Sequence, residues 1–234
     1  MSHVRRMLVG ALLVAGCGSK LPETRYYALG QPGPARTAAA STGAEAGGAG
    51  VTLALEPLET DAGYDDERIV YRANAYRLDY YQYHRWSAAP GVLVENYLEQ
   101  ALAQSGRFAS VVRDVTPDSP VVLGGRVMAI EEVDQSPTRW SGRIVVQLKL
   151  SDAQTGELLW TQRFDESEPL TAQTPEGLAK AISTAMARIA ERAGPKIAEI
   201  TLQRRHRVPS NVTPAIPSVG RGARESGLDG IAGR

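Results

Sequence analysis

The longest legible pattern runs from residue 51 to 203, where apolar positions recur with two different periods. In "VTLALEPLE" the residues Val51, Leu53 and Leu55 alternate with polar neighbours, which predicts a half-buried strand. "RIVYR" and "YRLDYYQY" are further strand candidates, set off by the turn-rich "DAGYDDE". The period then lengthens. Pro90 suits the first position of a helix, Leu93, Tyr97, Leu98, Ala101 and Leu102 follow at helical spacing, and Gly106 supplies the stop.

Alternation returns in "RFASVVRD", "PVVLGGRVMAIEEVD" and "GRIVVQLKLSDA", and "AQTGE" turns the last of these into "LLWTQRFDE", so 143 to 165 reads as a hairpin. The tandem Gly124 and Gly125 predict a bulge or a close backbone approach. A second helix opens with Thr174 as cap and Pro175 at its first position, carrying Leu178, Ile182, Ala185, Met186 and Ile189 as an apolar stripe. Gly194 and Pro195 are expected to kink or break it. Strands, a helix, more strands and a final helix make an α+β domain, with two helices packed on a mostly antiparallel or mixed sheet.

The segments on either side lack such periods. Residues 1 to 17, "MSHVRRMLVGALLVAGC", join Arg5 and Arg6 to a nine-residue apolar run from Met7 to Ala15. That run is too short to span a bilayer but suits an export signal. "VAGC" resembles the bacterial lipobox, and Cys17 is the only cysteine of the chain. Residues 1–16 are therefore expected to be a signal peptide and Cys17 the lipidated residue. Gly18, where an Asp often retains a lipoprotein at the inner membrane, points to the outer one. Residues 17–50 hold a short extended segment near Tyr26 to Leu29, then a Pro/Gly/Ala/Ser linker with a reach of roughly 20 to 27 Å. Residues 204–234, rich in Gly, Pro and Arg, read as a disordered tail.

Composition narrows the function. The chain of 234 residues is 43% hydrophobic, with a formal net charge of zero. Without a basic field, nucleic-acid binding has little support. His84 has no nearby histidine partner in the domain, which leaves no visible metal or His-based catalytic set. Acidic clusters occur at 65 to 67, 131 to 134 and 165 to 168, each taken as a strand end or loop where carboxylates solvate a turn. Glu131 and Glu132, if extended, point to opposite sheet faces. A cell-wall hydrolase working through Glu131 or Asp165 is thus the weakest reading. No catalytic residue and no cofactor is expected.

The stretch from 71 to 90, "YRANAYRLDYYQYHRWSAAP", concentrates tyrosine. Base stacking lacks its basic groove. A tyrosine-rich strand places Tyr76, Leu78 and Tyr80 on one face and Arg77, Asp79, Tyr81 and Tyr83 on the other. Core packing on one face and a partner interface on the other, through Arg77, Tyr81, Tyr83 and Arg85, is the combination that uses all of them.

Taken together, "RYYALG" after the lipobox, "IVYR", the extended aromatic segment, "RW", a nearby proline, a Leu-rich helix and "GRFASVV" resemble the ABC-type transport auxiliary lipoproteins. Tyr27 and Leu29 match the family's early strand, Ile69 and Tyr71 its "I-x-Y", Trp86 its tryptophan, Pro90 its helix start, and Phe108 and Val111 its "F-x-x-V". "WSAAP" carries a different Trp-to-Pro spacer. The resemblance implies a non-catalytic envelope lipoprotein. It would be anchored with its domain (51–203) in the periplasm and would bind an MCE-domain protein with its ABC permease and ATPase during lipid transport between membranes, with self-association left open. The other class of function is a structural or assembly lipoprotein of an outer-membrane complex.

Overall fold

The computed structural model describes residues 22–30 and 50–207, with side chains through Arg205. The expected signal peptide, Cys17, most of the linker and the tail beyond Arg207 lie outside the described residues. Eleven elements follow in order: β1 (Arg25–Tyr27), β2 (Thr52–Leu55), β3 (Glu59–Thr60), β4 (Arg68–Asn74), β5 (Arg77–Trp86), α1 (Pro90–Gln104), β6 (Ser110–Val112), β7 (Val121–Ser136), β8 (Arg139–Asp152), β9 (Leu158–Pro169) and α2 (Pro175–Arg207). The nine strands form one mixed sheet, and the architecture is α+β.

β7 is the spine. At 16 residues it extends about 50 Å, longer than any one neighbour on its first edge can cover. Three short strands share that edge, all parallel to it: β2 on Val121–Leu123, β3 on Arg126–Val127 and β4 on Glu131–Val133. β6 extends the sheet beyond β2, while β5 and then β1 extend it beyond β4. The other edge of β7 carries β8 along its length, and β8 carries β9, both antiparallel. The hairpin read from the sequence is this β8–β9 pair.

The glycine pair resolves as a close approach. A Cβ on Gly125, at φ +150°, would lie 2.0 Å from the Gln147 carbonyl oxygen, and one on Gly124 would lie 1.9 Å from a Glu56 carboxylate oxygen. The register shift itself comes later, between Val127 and Ala129.

α2 begins as the sequence indicates, with the Thr174 hydroxyl accepting from the Gly177 N–H at 3.1 Å. Leu178, Ile182, Ala185, Met186 and Ile189 are fully buried. Of the kink or break expected at Gly194-Pro195, the break does not occur, and the helix is one element to Arg207. Proline removes one backbone bond, but the apolar stripe continues on both sides through Ala193 and Ile197, so packing keeps the helix continuous past it. Residues 204–207, assigned to the tail from sequence, are the last turn of this helix.

The helices cover one face of the sheet. At Gly142 of β8 an added Cβ would meet Ala181 at 3.0 Å, Leu178 at 3.1 Å and Ile182 at 3.2 Å. Gly142 therefore marks the α2 side, as does its cross-strand partner Glu132, since paired residues share a face. Trp86, Phe164, Leu53, Ile69, Leu98 and Ile144 are among the largest fully buried side chains of the core.

Candidate functional site

The tyrosine-rich stretch forms β4, its turn and β5, at the end of the sheet farthest from β9. Its aromatic rings divide between two environments. Tyr71 and Tyr81 pack with centroids 5.0 Å apart, Tyr81 meets His84 edge-on at 5.5 Å, and His84 lies 5.6 Å from Tyr27 of β1. The Tyr27 hydroxyl and His84 Nδ1 are 2.7 Å apart. His84 is thus a hydrogen-bonded structural histidine, tying the edge strand β1 to β5. Outside this cluster, Tyr76 in the β4–β5 turn is 98% exposed and Tyr26 is 62% exposed. Tyr80 lies under the Arg68 guanidinium, 4.5 Å from its centroid, and donates to the Gly63 carbonyl at 3.0 Å.

The four residues read as an interface take up different positions. Arg77 is exposed and bonds Asp79 at 2.6 Å. Tyr83 is half-buried. Arg85 lies 3.9 Å from the Asp66 carboxylate, which Arg68 also holds. Tyr81 turns inward and donates to Glu132 Oε1 at 2.7 Å.

The residues matched to the family pattern lie in or against the core. Tyr27, Ile69, Trp86, Pro90 and Phe108 are buried, Leu29 and Val111 pack against the core from its margin, and Tyr71 is half-buried.

Two carboxylates read from the sequence as solvating a turn are buried instead. The cluster at 131 to 134 sits inside β7 and not at a strand end, and Glu131 and Glu132 are both fully buried. Glu131 faces away from the helices. It accepts from the Tyr64 hydroxyl at 2.6 Å, Arg72 Nε at 3.0 Å and Arg143 Nη1 at 3.1 Å. Burial and this bond push the Tyr64 phenol up to about 12. Arg143 reaches on to Asp165 at 2.7 Å and holds that carboxyl below its usual range.

On the helix side, burial raises the Glu132 carboxyl to about 7, and burial raises Asp134, two residues on, as well. The signal was present: "VMAIEEVD" places glutamates where an alternating buried strand has no solvent-exposed end.

Among the described residues no cluster of His, Cys, Asp and Glu has the geometry to hold a metal ion, and no helix is long and apolar enough to cross a membrane. Two surface depressions have volumes of about 160 and 190 Å³, below the range usual for sites that enclose a small molecule.

Comparison with known proteins gives one family. The model described as "ABC-type transport auxiliary lipoprotein component" matches residues 27–193, which include every element from the end of β1 to most of α2. No curated protein matches the chain. Among solved structures, a protein from Xanthomonas campestris assigned to DUF330 is similar at a TM-score of 0.59 and 16% identity, covering 77% of this chain and 95% of its own. An uncharacterized protein is similar at 0.59 and 13% identity, covering 75% and 99%. A minor lipoprotein from Acinetobacter baumannii aligns at 0.37 and 15% identity, covering 64% and 93%. At these identities the first two likenesses speak to the fold.

Proposed function

Because the chain belongs to the family of ABC-type transport auxiliary lipoprotein components, we propose that it is a non-catalytic accessory of an intermembrane lipid transport assembly, anchored to the outer membrane by acylated Cys17. The observation that carries this reading is the family match across most of the sheet-and-helix body, residues 27–193. Its domain faces the periplasm and docks on an MCE-domain protein with its ABC permease and ATPase.

The chemistry of the chain supports each part. Two or more acyl chains on one thiol give durable anchoring, since each buried methylene contributes about 0.8 kcal/mol. Because β1 is already paired with β5, the Pro/Gly/Ala/Ser segment expected as a linker lies between two strands of the sheet, and residues 18–24 alone separate Cys17 from the body, which holds the domain near the leaflet. The accessible part of the β5 region, with Arg77, Tyr83 and Arg85, offers the Tyr and Arg side chains in which protein interfaces are rich. Glu131 and Asp165, the carboxylates a hydrolase reading would use, are both bound by Arg143, which keeps them as ion-pair partners.

The test has two arms. Cys17→Ala should move the protein from the membrane to the soluble fraction, and retention in the membrane would overturn the anchor. Affinity purification from solubilised envelopes should recover an MCE-domain protein or its permease with the wild type and less of it with Arg77→Glu/Tyr83→Ala, whose fold circular dichroism would check. Equal recovery by wild type and variant would remove β5 from the interface. Recovery of other outer-membrane components alone would favour an assembly role.

A further inference from the structure

Glu132 carries a polar atom for which the fold supplies no partner. Its Oε1 accepts from Tyr81, but Oε2 is closed to solvent and has no hydrogen-bond partner among the described residues. Asp134 Oδ1 is in the same condition. Two residues apart on β7, both side chains project to the face that α2 covers, as their cross-strand partners Gly142 and Trp140 do. Two ionised carboxylates side by side here would leave both acceptors unmatched and their charges in mutual repulsion.

We infer that one proton is held between Glu132 Oε2 and Asp134 Oδ1, so that the pair is a carboxylic acid hydrogen-bonded to a carboxylate. The proton comes from solvent, and the pair then carries a single negative charge. Glu132 is the acid. It is the more deeply buried of the two, so the charged form is the more costly there. Tyr81 completes the arrangement by donating to the oxygen of Glu132 that does not carry the proton.

Among the described residues no cation is ion-paired with either carboxyl; Arg25 of β1 acts on Tyr27 instead. β4 presents Tyr71 and β5 presents Tyr81 and His84, whose Nδ1 is engaged by Tyr27 of β1. β8 contributes the uncharged Gly142 and Trp140. From α2 come the apolar Leu178, Ala181 and Ile182 above Gly142, and Glu176, which acts on Tyr27. Glu168 of β9, opposite Gly142, is bonded to Arg188, which also holds Glu166. Compare Glu131, which has two guanidiniums and stays in an ion-pair network.

The sign of the pH effect follows. A carboxyl raised from 4.5 to about 7 binds its proton in the folded state where the unfolded state has lost it. Stability therefore falls as pH rises across that interval and levels off above it. Because Tyr81 belongs to β5, titration also reaches the strand assigned above to partner contact. That consequence rests on the preceding reading, and the test below does not.

The experiment is infrared spectroscopy of the full-length chain in detergent, paired with thermal unfolding across pH. At about pH 6, where ordinary carboxyls are ionised, the wild type should show the carbonyl stretch of a protonated carboxylic acid, and the band should vanish as pH rises past about 8. Glu132→Gln replaces the shared proton with an amide N–H. It should lose both the band and the decline in melting temperature with rising pH, and it should melt above the wild type on the alkaline side. Asp134→Asn removes the carboxylate that accepts from Glu132, so its band should vanish at a lower pH than in the wild type, and with the wild-type spectrum this decides the matter if Glu132→Gln does not fold; a band that vanishes at the same pH in both would overturn the sharing. Absence of the band from the wild type, or an unchanged pH profile in Glu132→Gln, would overturn the assignment.

Discussion

Glu131 and Glu132 are consecutive on β7, both fully buried, and their carboxylates lie on opposite faces of the sheet. The strand's alternation sends Glu131 toward Tyr64, Arg72 and Arg143 and Glu132 toward the space under α2. The same side chain is stabilised in two ways. Glu131 is met by two guanidiniums and a phenol, while Glu132 is met by a phenol and, in the arrangement inferred above, holds a proton.

Removing one partner of a buried ion network is costly because the others remain buried without it. Glu131→Ala would leave Arg72, Arg143 and Tyr64 facing a cavity, and should lose about 3 to 5 kcal/mol. Glu131→Gln keeps the shape and one acceptor and should lose less. Urea unfolding at neutral pH, with the slope checked for constancy, measures both. A Glu131→Ala variant as stable as the wild type would mean the network contributes nothing.

At the other end of α2, Arg204 holds Asp152 and Glu157. Burial alone would raise the Asp152 carboxyl. The Arg204 guanidinium and the Thr155 and Gln154 donors outweigh that and hold it at about 2. A depressed carboxyl contributes stability above its unfolded value, and that contribution is lost as pH falls toward 2. Asp152→Asn should therefore lose roughly 2 kcal/mol at neutral pH, and the difference from wild type should shrink in acid. A difference that persists unchanged into acid would show that shape, not charge, is what Asn fails to supply.

Gly125 is expected to be intolerant of any side chain. Its φ of +150° and the 2.0 Å approach of the Gln147 carbonyl oxygen to a Cβ leave no room without moving β7 away from β8. Gly125→Ala should cost about 3 kcal/mol or more. Gly156, at φ +71° with open space around its Cβ, is the control. Gly156→Ala meets only left-handed strain and should cost about 1 to 2 kcal/mol. Equal melting temperatures for the two variants would remove the steric argument.

The strands, helix starts and hairpin were legible because each rests on a local period, such as Leu53/Leu55 in β2 or the Thr174-Pro175 start of α2. What was not legible is non-local. Nothing near residue 131 announces that Tyr64 and Arg143, both distant in sequence, will enclose its carboxylate. Likewise nothing in "YYQYH" tells which tyrosine will meet Glu132, because the register between β4 and β5 shifts between Arg68 and Val70. Gly194-Pro195, where a kink or break is expected, does not break α2 for the same reason. The local cost of proline is visible in the sequence, whereas the packing that outweighs it comes from α1 and the sheet.

The continuity of α2 through this pair yields the last prediction. A Cβ at Gly194 would approach Leu102 of α1 at 3.5 Å, an ordinary van der Waals distance, and Gly194 has ordinary helical geometry inside α2. Glycine here adds backbone freedom to the unfolded chain and gives the folded helix nothing in return. Gly194→Ala should therefore stabilise the domain by about 0.5 to 1 kcal/mol and raise the melting temperature. Pro195→Ala should act in the same direction by restoring a backbone donor to the helix. A fall in melting temperature for Gly194→Ala would mean that α2 bends at this point in solution and that the glycine serves the bend.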